Sequence, residues 1–423
     1  MIRFYNGKIM KFGSELTLTD EEVWTDGENI SYVGPAPEEY PEFERQIDLK
    51  GDVLMPGFKN AHAHTAMVFL RSLSDKKPLH RWLEDDCFPN EALLTDEDVY
   101  WLTKVGIMEY LSSGITTAFD MYFHNDAVAA AATESGFRTV ICASLNNFDA
   151  DMTNIEREYL KFNSLNDLIS YRFGIHAEYT TCMERMEYIA SLAEKYKAPC
   201  FTHICETKAE TEGCYERYGV SPVKLLDNLG FFRYGGGGYH CCYFNEEDME
   251  LFASKGLYAV TCPSSNLKLA SGIAPIEKMR SKGVRLAIGT DGAGSNNALD
   301  FFREMYLVSV LQNILEGRAA AFPVETVLEM ACVNGAALMG LDKCTGIEPG
   351  NKADFLVIDM SRPNMRPVNS IVPNIVYSGS KENVRLTMVN GKVLYENGEF
   401  FIGESSERIY AEAQKFSGRM KKC

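Results

Sequence analysis

Short apolar segments alternate with helix-length segments from residue 53 to about residue 340, and this alternation constrains the fold more than any other feature. Strands that alternate with helices indicate a parallel sheet, and eight such units indicate a closed barrel. The sequence therefore predicts an α/β fold, a (β/α)8 barrel of the TIM type. The predicted strands are residues 53–55, 116–119, 138–141, 171–175, 200–202, 238–241, 257–260 and 285–288.

Helix signals occupy the intervals between these runs. Asn245 with Asp248 is the pattern of a capped helix start, and Gly256 is typical of the end of that helix. Thr95 with Asp98 predicts another helix start of the same kind. These signals support the assignment of the intervals to helices.

The two chain ends differ from the centre in that short strand-like runs are separated by turns. The run 384–389 is followed by Asn390-Gly391 and the run 392–395, which is a hairpin signal. We expect both ends to pair into one small β-sandwich domain. The predicted domains are residues 1–54 and 351–423 for the sandwich and residues 55–350 for the barrel.

The composition limits the cellular compartment and the binding partners that we expect for this protein. The formal net charge of −17 repels phosphate backbones, so nucleic acid is not expected as a partner. No apolar run reaches the roughly 18–20 residues that cross a membrane, and the first residues lack the apolar core of a signal peptide. We therefore expect a cytoplasmic protein in which the 12 cysteines are reduced. Self-association into a homo-oligomer stays open.

Histidine is scarce, and its positions are informative. The chain has 7 histidines, and most of them follow predicted strands or lie at strand ends, as does one aspartate of the last strand. The carboxyl ends of barrel strands meet at one face, where barrel active sites are built. The residues predicted to meet there are His62, His64, His176, His203, His240 and Asp291.

Three of these histidines and the aspartate form a candidate metal site. His62 and His64 are two residues apart, so they lie on the same side of an extended chain. With His203 and Asp291 they supply three nitrogens and one oxygen, a set suited to Zn²⁺ or Fe²⁺. We predict one divalent metal, with zinc preferred and iron as the alternative. Histidines that only form hydrogen bonds in the core are the competing interpretation.

A metal with an open position lowers the pKa of a water molecule to near neutrality, and the reaction then needs a proton shuttle. Glu206 lies three residues after His203, just past the strand end, and is the best candidate for the general acid and base. His240, from the next strand, is a candidate to hold the nucleophile or polarise the bond under attack. An exposed loop carboxylate is the alternative interpretation of Glu206.

Four segments resemble known motifs. Residues 55–64 are similar to the first-strand signature of the amidohydrolase superfamily. Residues 203–207, 264–275 and 289–297 narrow the resemblance to the 5′-methylthioadenosine/S-adenosylhomocysteine deaminase group, which borders the triazine hydrolases. The resemblance covers essentially the whole chain, including the split β domain.

The resemblance implies a metal-dependent hydrolase that releases ammonia from an adenine nucleoside by attack of a metal-bound hydroxide. It places a single metal on His62, His64, His203 and Asp291. A mononuclear site is expected, because no lysine follows the fourth strand, where two-metal relatives carry a carboxylated bridge. Glu206 is expected to protonate the ring nitrogen and then the leaving ammonia, while His240 and Asp291 hold the nucleophile.

Substrate contacts are also implied by the resemblance. Trp82 and Glu91 match positions that line the nucleoside, and Glu91 is expected to accept hydrogen bonds from the ribose hydroxyls. His176 matches a histidine that contacts the purine ring. Packing in the core or in a lid is the alternative interpretation of Trp82.

Some positions depart from the family pattern. Close relatives use two arginines to hold the homocysteine carboxylate, and Ala143 and Asn154 align with them. Glu178 adds a negative charge to the expected substrate pocket. Because a desolvated carboxylate then lacks a cationic partner, we favour methylthioadenosine, adenosine or another neutral aminated heterocycle over S-adenosylhomocysteine. The residues Thr261 and Cys262 also depart from the pattern, with no consequence that we can assign.

Two other functions stay open. A related amidohydrolase acting on guanine, a pterin or a chlorinated triazine would share the barrel and the metal, and fold alone does not separate these activities. A non-catalytic scaffold of the same fold is an alternative of a different class. The presence of all four predicted metal ligands and of Glu206 argues against a scaffold.

Overall fold

The computed structural model describes residues 1–73, 77 and 79–421. The amino-terminal part consists of short strands that belong to two sheets. The first end sheet has four strands in the order β5-β4-β1-β6. The second end sheet has seven strands, of which β2, β3 and β7 come from this part of the chain. The strands are β1 (Ile2–Tyr5), β2 (Lys8–Phe12), β3 (Leu16–Thr19), β4 (Glu22–Asp26), β5 (Asn29–Gly34), β6 (Arg45–Asp48) and β7 (Val53–Pro56).

The centre of the chain forms one parallel sheet of nine strands. Its order is β15-β14-β13-β12-β11-β10-β9-β8-β16, so consecutive strands are neighbours. The last segment, β16, pairs with β8 at the other end of that order through Asp291 and Ala63. The strands are β8 (Phe58–His64), β9 (Ile115–Met121), β10 (Arg138–Cys142), β11 (Ile169–Ala177), β12 (Cys200–Ile204), β13 (Gly236–His240), β14 (Tyr258–Thr261), β15 (Arg285–Ile288) and β16 (Asp291–Gly292).

Seven of the eight predicted strands lie in this sheet, but the first prediction was wrong. The run 53–55 belongs to β7, which pairs with β2 and with a carboxyl-terminal strand. The first strand of the parallel sheet is β8, whose residues Lys59 and Asn60 interrupt the apolar pattern although both are buried. The Lys59 ammonium donates to the Gly57 carbonyl at 3.0 Å and to the Thr116 hydroxyl at 2.7 Å. These bonds let a charged residue occupy a buried strand.

Both chain ends contribute to the second end sheet, as expected. Its order is β20-β19-β18-β17-β7-β2-β3. Asn390 and Gly391 both have positive φ, at 51° and 77°, as the predicted hairpin turn requires. One buried cluster includes Phe4 from the four-stranded sheet and Phe355 from the seven-stranded sheet. The carboxyl-terminal strands are β17 (Phe355–Ile358), β18 (Val384–Val389), β19 (Lys392–Glu396) and β20 (Glu399–Phe400).

Helices fill the intervals of the central sheet. The two predicted helix starts are confirmed, because Thr95 and Asn245 each form a reciprocal capping box with the aspartate three residues later. The α-helices are α1 (Leu79–Trp82), α2 (Phe88–Glu91), α3 (Asp96–Ser112), α4 (Asn125–Ser135), α5 (Asn154–Phe162), α6 (Met183–Tyr196), α7 (Lys208–Tyr218), α8 (Pro222–Asn228), α9 (Glu246–Lys255), α10 (Pro263–Lys268), α11 (Ile276–Ser281), α12 (Ala293–Asn296), α13 (Phe301–Leu315), α14 (Val324–Glu329), α15 (Gly335–Met339), α16 (Ile371–Pro373) and α17 (Ser406–Ser417).

Shorter helical segments complete the fold. The 3₁₀ segments are Thr65–Leu70, Glu178–Thr180, Asp342–Cys344, Pro363–Met365 and Lys381–Asn383, and the π segments are Leu83–Cys87, Met330–Asn334 and Asn374–Ser378. Within residues 1–73, 77 and 79–421, no helix combines the length and the apolar character of a membrane span. The 11 cysteines in the described part of the chain are free thiols.

Candidate active site

A cavity of about 420 Å³ opens at the carboxyl ends of the parallel strands. This volume lies within the range of small-molecule sites. Eight of the residues singled out in the sequence line it: His64, Trp82, Glu91, His176, His203, Glu206, His240 and Asp291.

Four histidines and one aspartate converge at the base of this cavity. Ligand atoms of His62, His203, His240 and Asp291 all lie within 4.8 Å of one another. The Nε2 atom of His64 is 3.3 Å from Asp291 Oδ1 and 3.3 Å from His203 Nε2. We call these five residues the His–Asp group. They come from four strands and are held together only by the tertiary fold.

The hydrogen bonds around the His–Asp group leave lone pairs directed at its centre. The Nδ1 atoms of His64 and His203 face the carbonyl oxygens of Met121 and His176, at 2.5 Å and 2.6 Å. A carbonyl only accepts, so both Nδ1 atoms carry the proton and both Nε2 atoms are free to bind a metal.

His62 gives the most direct test of whether a metal fits. The ring is fully buried, and neither nitrogen has a hydrogen-bond partner among the described residues. An imidazole buried without partners is costly unless something else satisfies it. Burial lowers the pKa of His62 to about 3, which keeps the ring neutral and able to bind a cation. The His–Asp group therefore fits a divalent metal.

Asp291 is fixed by its second carboxylate oxygen. Oδ2 accepts hydrogen bonds from the hydroxyls of Ser265 and Ser295, both at 2.6 Å, while Oδ1 faces His62 at 3.5 Å and His64. Burial alone would raise the pKa of Asp291, but the adjacent imidazoles of His62 and His64 hold that pKa well below its ordinary value. Its φ of 60° is unusual for a residue with a side chain, and such backbone conformations concentrate at functional sites.

The candidate acid and base lies beside the His–Asp group. Glu206 is buried, its Oε1 accepts a hydrogen bond from the Ser271 hydroxyl at 2.8 Å, and its Oε2 is 3.8 Å from His240 Nε2. Burial raises the pKa of Glu206, as suits a group that must both accept and donate a proton. The alternative interpretation of Glu206 as an exposed loop carboxylate is wrong, because the side chain is buried.

A second buried carboxylate holds the backbone that carries Glu206. Glu210, in the first turn of α7, accepts the N–H groups of Cys205 and Glu206, each at 2.8 Å. Cys205 has a φ of 51°, which turns the chain so that these consecutive N–H groups point at one carboxylate. Glu210 was not among the residues predicted from the sequence, although its spacing of four residues from Glu206 is a usable signal.

Trp82, Glu91 and His176 form part of the wall above the His–Asp group. Trp82 is 3% exposed, and Glu91 ends α2 with its carboxylate beside the Tyr122 hydroxyl. The Nδ1 atom of His176 lies 2.8 Å from the Thr180 hydroxyl, and burial lowers the pKa of His176 to about 4. The ring is therefore neutral where it lines the cavity.

Three positions discussed in the sequence analysis are not among the described residues that line the cavity: Ala143, Asn154 and Glu178. The Glu178 carboxylate is buried and receives hydrogen bonds from Arg217 at 2.6 Å and 3.2 Å. Its charge is thus balanced by the guanidinium of a residue 39 positions away.

Several lining residues were missed in the sequence. Most of them follow the ends of β9 and β10, while Tyr179 follows β11 and Ser295 follows β16, so their position after a strand was an available signal. The missed residues are Tyr122, Phe123, Ser144, Asn146, Phe148, Asp149, Tyr179 and Ser295.

Comparison with known proteins agrees with this geometry. The amidohydrolase family model matches residues 53–394. The chain belongs to the amidohydrolase family. It is 36% identical over 415 residues to a 5-methylthioadenosine/S-adenosylhomocysteine deaminase of Pelotomaculum thermopropionicum, covering 96% of each chain. It is 38% identical over 397 residues to the deaminase of the same name from Moorella thermoacetica, covering 92% of each.

A solved structure of the family has the same architecture. The crystal structure of an adenosine deaminase from Xanthomonas campestris with bound zinc superposes with a TM-score of 0.93 at 28% identity, covering 99% of this chain and 98% of that one. The family resemblance predicted from the four motifs is thereby confirmed.

Proposed function

We propose that this amidohydrolase is a metal-dependent deaminase that hydrolyses the amino group of an adenine nucleoside and releases ammonia. The observation that carries the proposal is the position of Glu206 beside the His–Asp group at the base of a cavity of about 420 Å³. The deaminases that resemble this chain over 92–96% of its length support the choice of reaction.

The metal ligands in this proposal are His62, His64, His203 and Asp291, and the metal is zinc. Support comes from the unpartnered nitrogens of His62 and from the zinc in the similar adenosine deaminase. A bound divalent metal supplies Lewis acidity that makes water a nucleophile at neutral pH.

The residues of the chain move the protons. Glu206 accepts a proton from the attacking water and delivers it to the ring nitrogen next to the aminated carbon. It then accepts the second proton of that oxygen and delivers it to the amino group, which leaves as ammonia. The Ser271 hydroxyl fixes one Glu206 oxygen, so the other stays directed at the reacting atoms. His240, whose Nδ1 lies 2.7 Å from the Asn266 side chain, orients the attacking oxygen together with Asp291.

The wall positions the nucleoside. Glu91 accepts hydrogen bonds from ribose hydroxyls, Trp82 contacts the ring system and His176 contacts the purine edge. The proposal gives no substrate contact to Glu178, because Arg217 already holds its carboxylate. Methylthioadenosine and adenosine are the preferred substrates.

The proposal extends to the architecture. The parallel sheet is a closed (β/α)8 barrel, because β15 pairs with β14, β16 pairs with β8, and only two residues separate β15 from β16. The two end sheets share one buried cluster and form a β-sandwich from the two chain ends. The expected boundary between residues 54 and 55 divides β7, so the sandwich part of the chain extends to Pro56 and the barrel domain is residues 57–350.

Ammonia release tests the function. Zinc-loaded protein is incubated with adenosine, methylthioadenosine, S-adenosylhomocysteine, guanine, a pterin and a chlorinated triazine. We expect rapid ammonia release from the first two compounds. Ammonia release only from guanine or the pterin, or chloride release from the triazine, would show that the substrate is a different heterocycle. If the protein binds zinc but turns over none of the compounds, a non-catalytic scaffold would be favoured.

A further inference from the structure

The cavity has a mouth that differs from its base. The rings of Phe88 and Phe148 lie 5.7 Å apart, and Phe148 is 77% exposed although it lines the cavity. Asp149 follows Phe148 and lines the same wall. We call Phe88, Phe148 and Asp149 the cavity mouth. Phe88 begins α2, in the segment that follows β8, whereas Phe148 and Asp149 lie in the loop that follows β10. In the sheet, β9 lies between β8 and β10.

Apart from the histidines, the charged side chains among the described residues that line the cavity are all carboxylates. They are Glu91, Asp149, Glu206 and Asp291, and no described lining residue is lysine or arginine. Three of these acids belong to the base or to the expected ribose contact. Asp149 is left as the charge at the mouth.

The Asp149 carboxylate is held in place by its own loop. Its Oδ2 accepts the N–H of Asn146 at 2.7 Å, and the Asn146 side chain in turn accepts the N–H of Phe148 at 2.8 Å. Burial raises the pKa of Asp149, and the Asn146 N–H and the nearby Arg185 guanidinium only partly oppose that rise, so the charged form bears a desolvation cost. A positively charged ligand would offset that cost.

Arg185 lies behind this loop and does not line the cavity. Its Nη2 donates to the backbone carbonyl of Asp149 at 2.7 Å. A ligand in the mouth therefore meets the carboxylate and the two aromatic rings before it meets the guanidinium.

The proposed function determines which part of a substrate reaches the mouth. The base and the 5′ substituent of a nucleoside lie at opposite ends of the sugar. With the purine over the His–Asp group and the ribose at Glu91, which lies one helical turn from Phe88, the 5′ substituent points to the mouth.

We propose, on the basis of that function, that the cavity mouth is a subsite for a positively charged 5′ substituent, an ammonium or a sulfonium, and that it rejects an anionic one. Asp149 supplies a charge-assisted hydrogen bond or a Coulombic partner, and the faces of Phe88 and Phe148 attract cations. The net charge of −17 favours the approach of the same ligands.

Three probes that differ only at the 5′ position test the proposal. They are 5′-amino-5′-deoxyadenosine, which carries an ammonium, 5′-methylthioadenosine, which is neutral, and adenosine 5′-monophosphate. For the zinc-loaded protein we expect kcat/KM for the amine to equal or exceed that for the thioether, and the phosphate to be at least about 100-fold worse, since it places like charges together without a partner.

The variant Asp149→Asn separates this subsite from the catalytic base. We expect kcat/KM for the amine to fall about 10-fold, the scale of one hydrogen bond to a charged group, while kcat/KM for the thioether stays within about twofold. Asp151→Asn is the matched control, because Asp151 lies in the same loop, bonds Thr153 and Arg157, and does not line the cavity. We expect it to leave both values unchanged.

The outcomes are distinguishable. Equal losses for both probes in Asp149→Asn would overturn the subsite, since they would show a general disturbance of the loop. Efficient turnover of the phosphate that is lost in Arg185→Met would also overturn it, and would show that the guanidinium turns into the mouth. If none of the three probes is deaminated, the proposed function itself fails.

Discussion

The base and the mouth of the cavity are held together in different ways. At the base, every member of the His–Asp group except His62 has a hydrogen-bond partner outside the group, such as Ser265 and Ser295 for Asp291. At the mouth, one short loop holds Asp149 through its own backbone, and Phe148 is largely exposed. The base is therefore fixed by contacts between distant parts of the chain, whereas the mouth depends mainly on one loop.

Removal of a proposed metal ligand should have the largest effect on the base of the cavity. We expect His62→Ala to lose the bound metal and all measurable deamination. Neither ring nitrogen of His62 has a hydrogen-bond partner among the described residues, so metal binding is the role we assign to this side chain. Metal content per chain, measured by elemental analysis after dialysis, checks this prediction. His124→Ala is the control, since His124 bonds Asp96 away from the cavity. Full metal occupancy in His62→Ala would remove His62 from the ligand set.

Glu206→Gln should separate chemistry from metal binding. It keeps the shape of the side chain but removes the proton carrier, so we expect metal content to stay at the wild-type level while kcat falls by about 10²–10⁴-fold. The measurement is ammonia release at saturating methylthioadenosine alongside metal analysis. An active variant would show that another group carries the proton.

Glu210→Gln should have a smaller effect, because it acts through the backbone that carries Glu206. An amide offers one oxygen to the two N–H groups that now share a carboxylate. We expect kcat to fall about 10–100-fold, the scale of one lost hydrogen bond to a charged group, with KM within about twofold. Glu212→Gln, an exposed position on the same helix, is the control. A change in KM without a change in kcat would contradict this positioning role.

The smallest effect concerns Glu304, a buried carboxylate beneath the base. Its oxygens accept hydrogen bonds from Asn296 and from the Ser264 N–H, and burial raises its pKa from 4.5 to about 7. A pKa that is higher in the folded than in the unfolded state stabilises the fold at low pH, and this contribution is lost as the pH rises towards 7. Between pH 5 and pH 8, the free energy of unfolding of the wild-type protein should fall by at most about 3 kcal/mol more than that of Glu304→Gln.

Urea unfolding of both proteins at the two pH values checks the Glu304 prediction. The comparison with the variant is needed because burial also raises the pKa of Glu210 to about 7, and that group titrates in both proteins. Identical pH dependence in the two proteins would show that Glu304 does not titrate in this range.

The sequence was most informative where function restricts residue type. Histidine and aspartate at strand ends identified the base of the cavity, because strands that are distant in sequence end at the same face of a parallel sheet. The strands themselves were visible as apolar runs. The exception was β8, where Lys59 is buried and its charge is satisfied by contacts to Gly57 and Thr116 that no local pattern reveals.

The mouth could not be predicted in the same way. Phe88 and Phe148 meet only in the folded protein, and Glu178 is neutralised by Arg217 from a different segment. Loop conformation depends on contacts between distant residues rather than on periodicity. The residues that line the mouth were therefore predicted less completely than those that converge at the base.

Titration of zinc into metal-free protein, with ammonia release from methylthioadenosine as the readout, tests the central claim most directly. We predict no activity without metal and a rise that levels off at about one zinc per chain, as expected for a single catalytic metal. The same activity in metal-free protein, or no ammonia at any zinc concentration, would contradict the account.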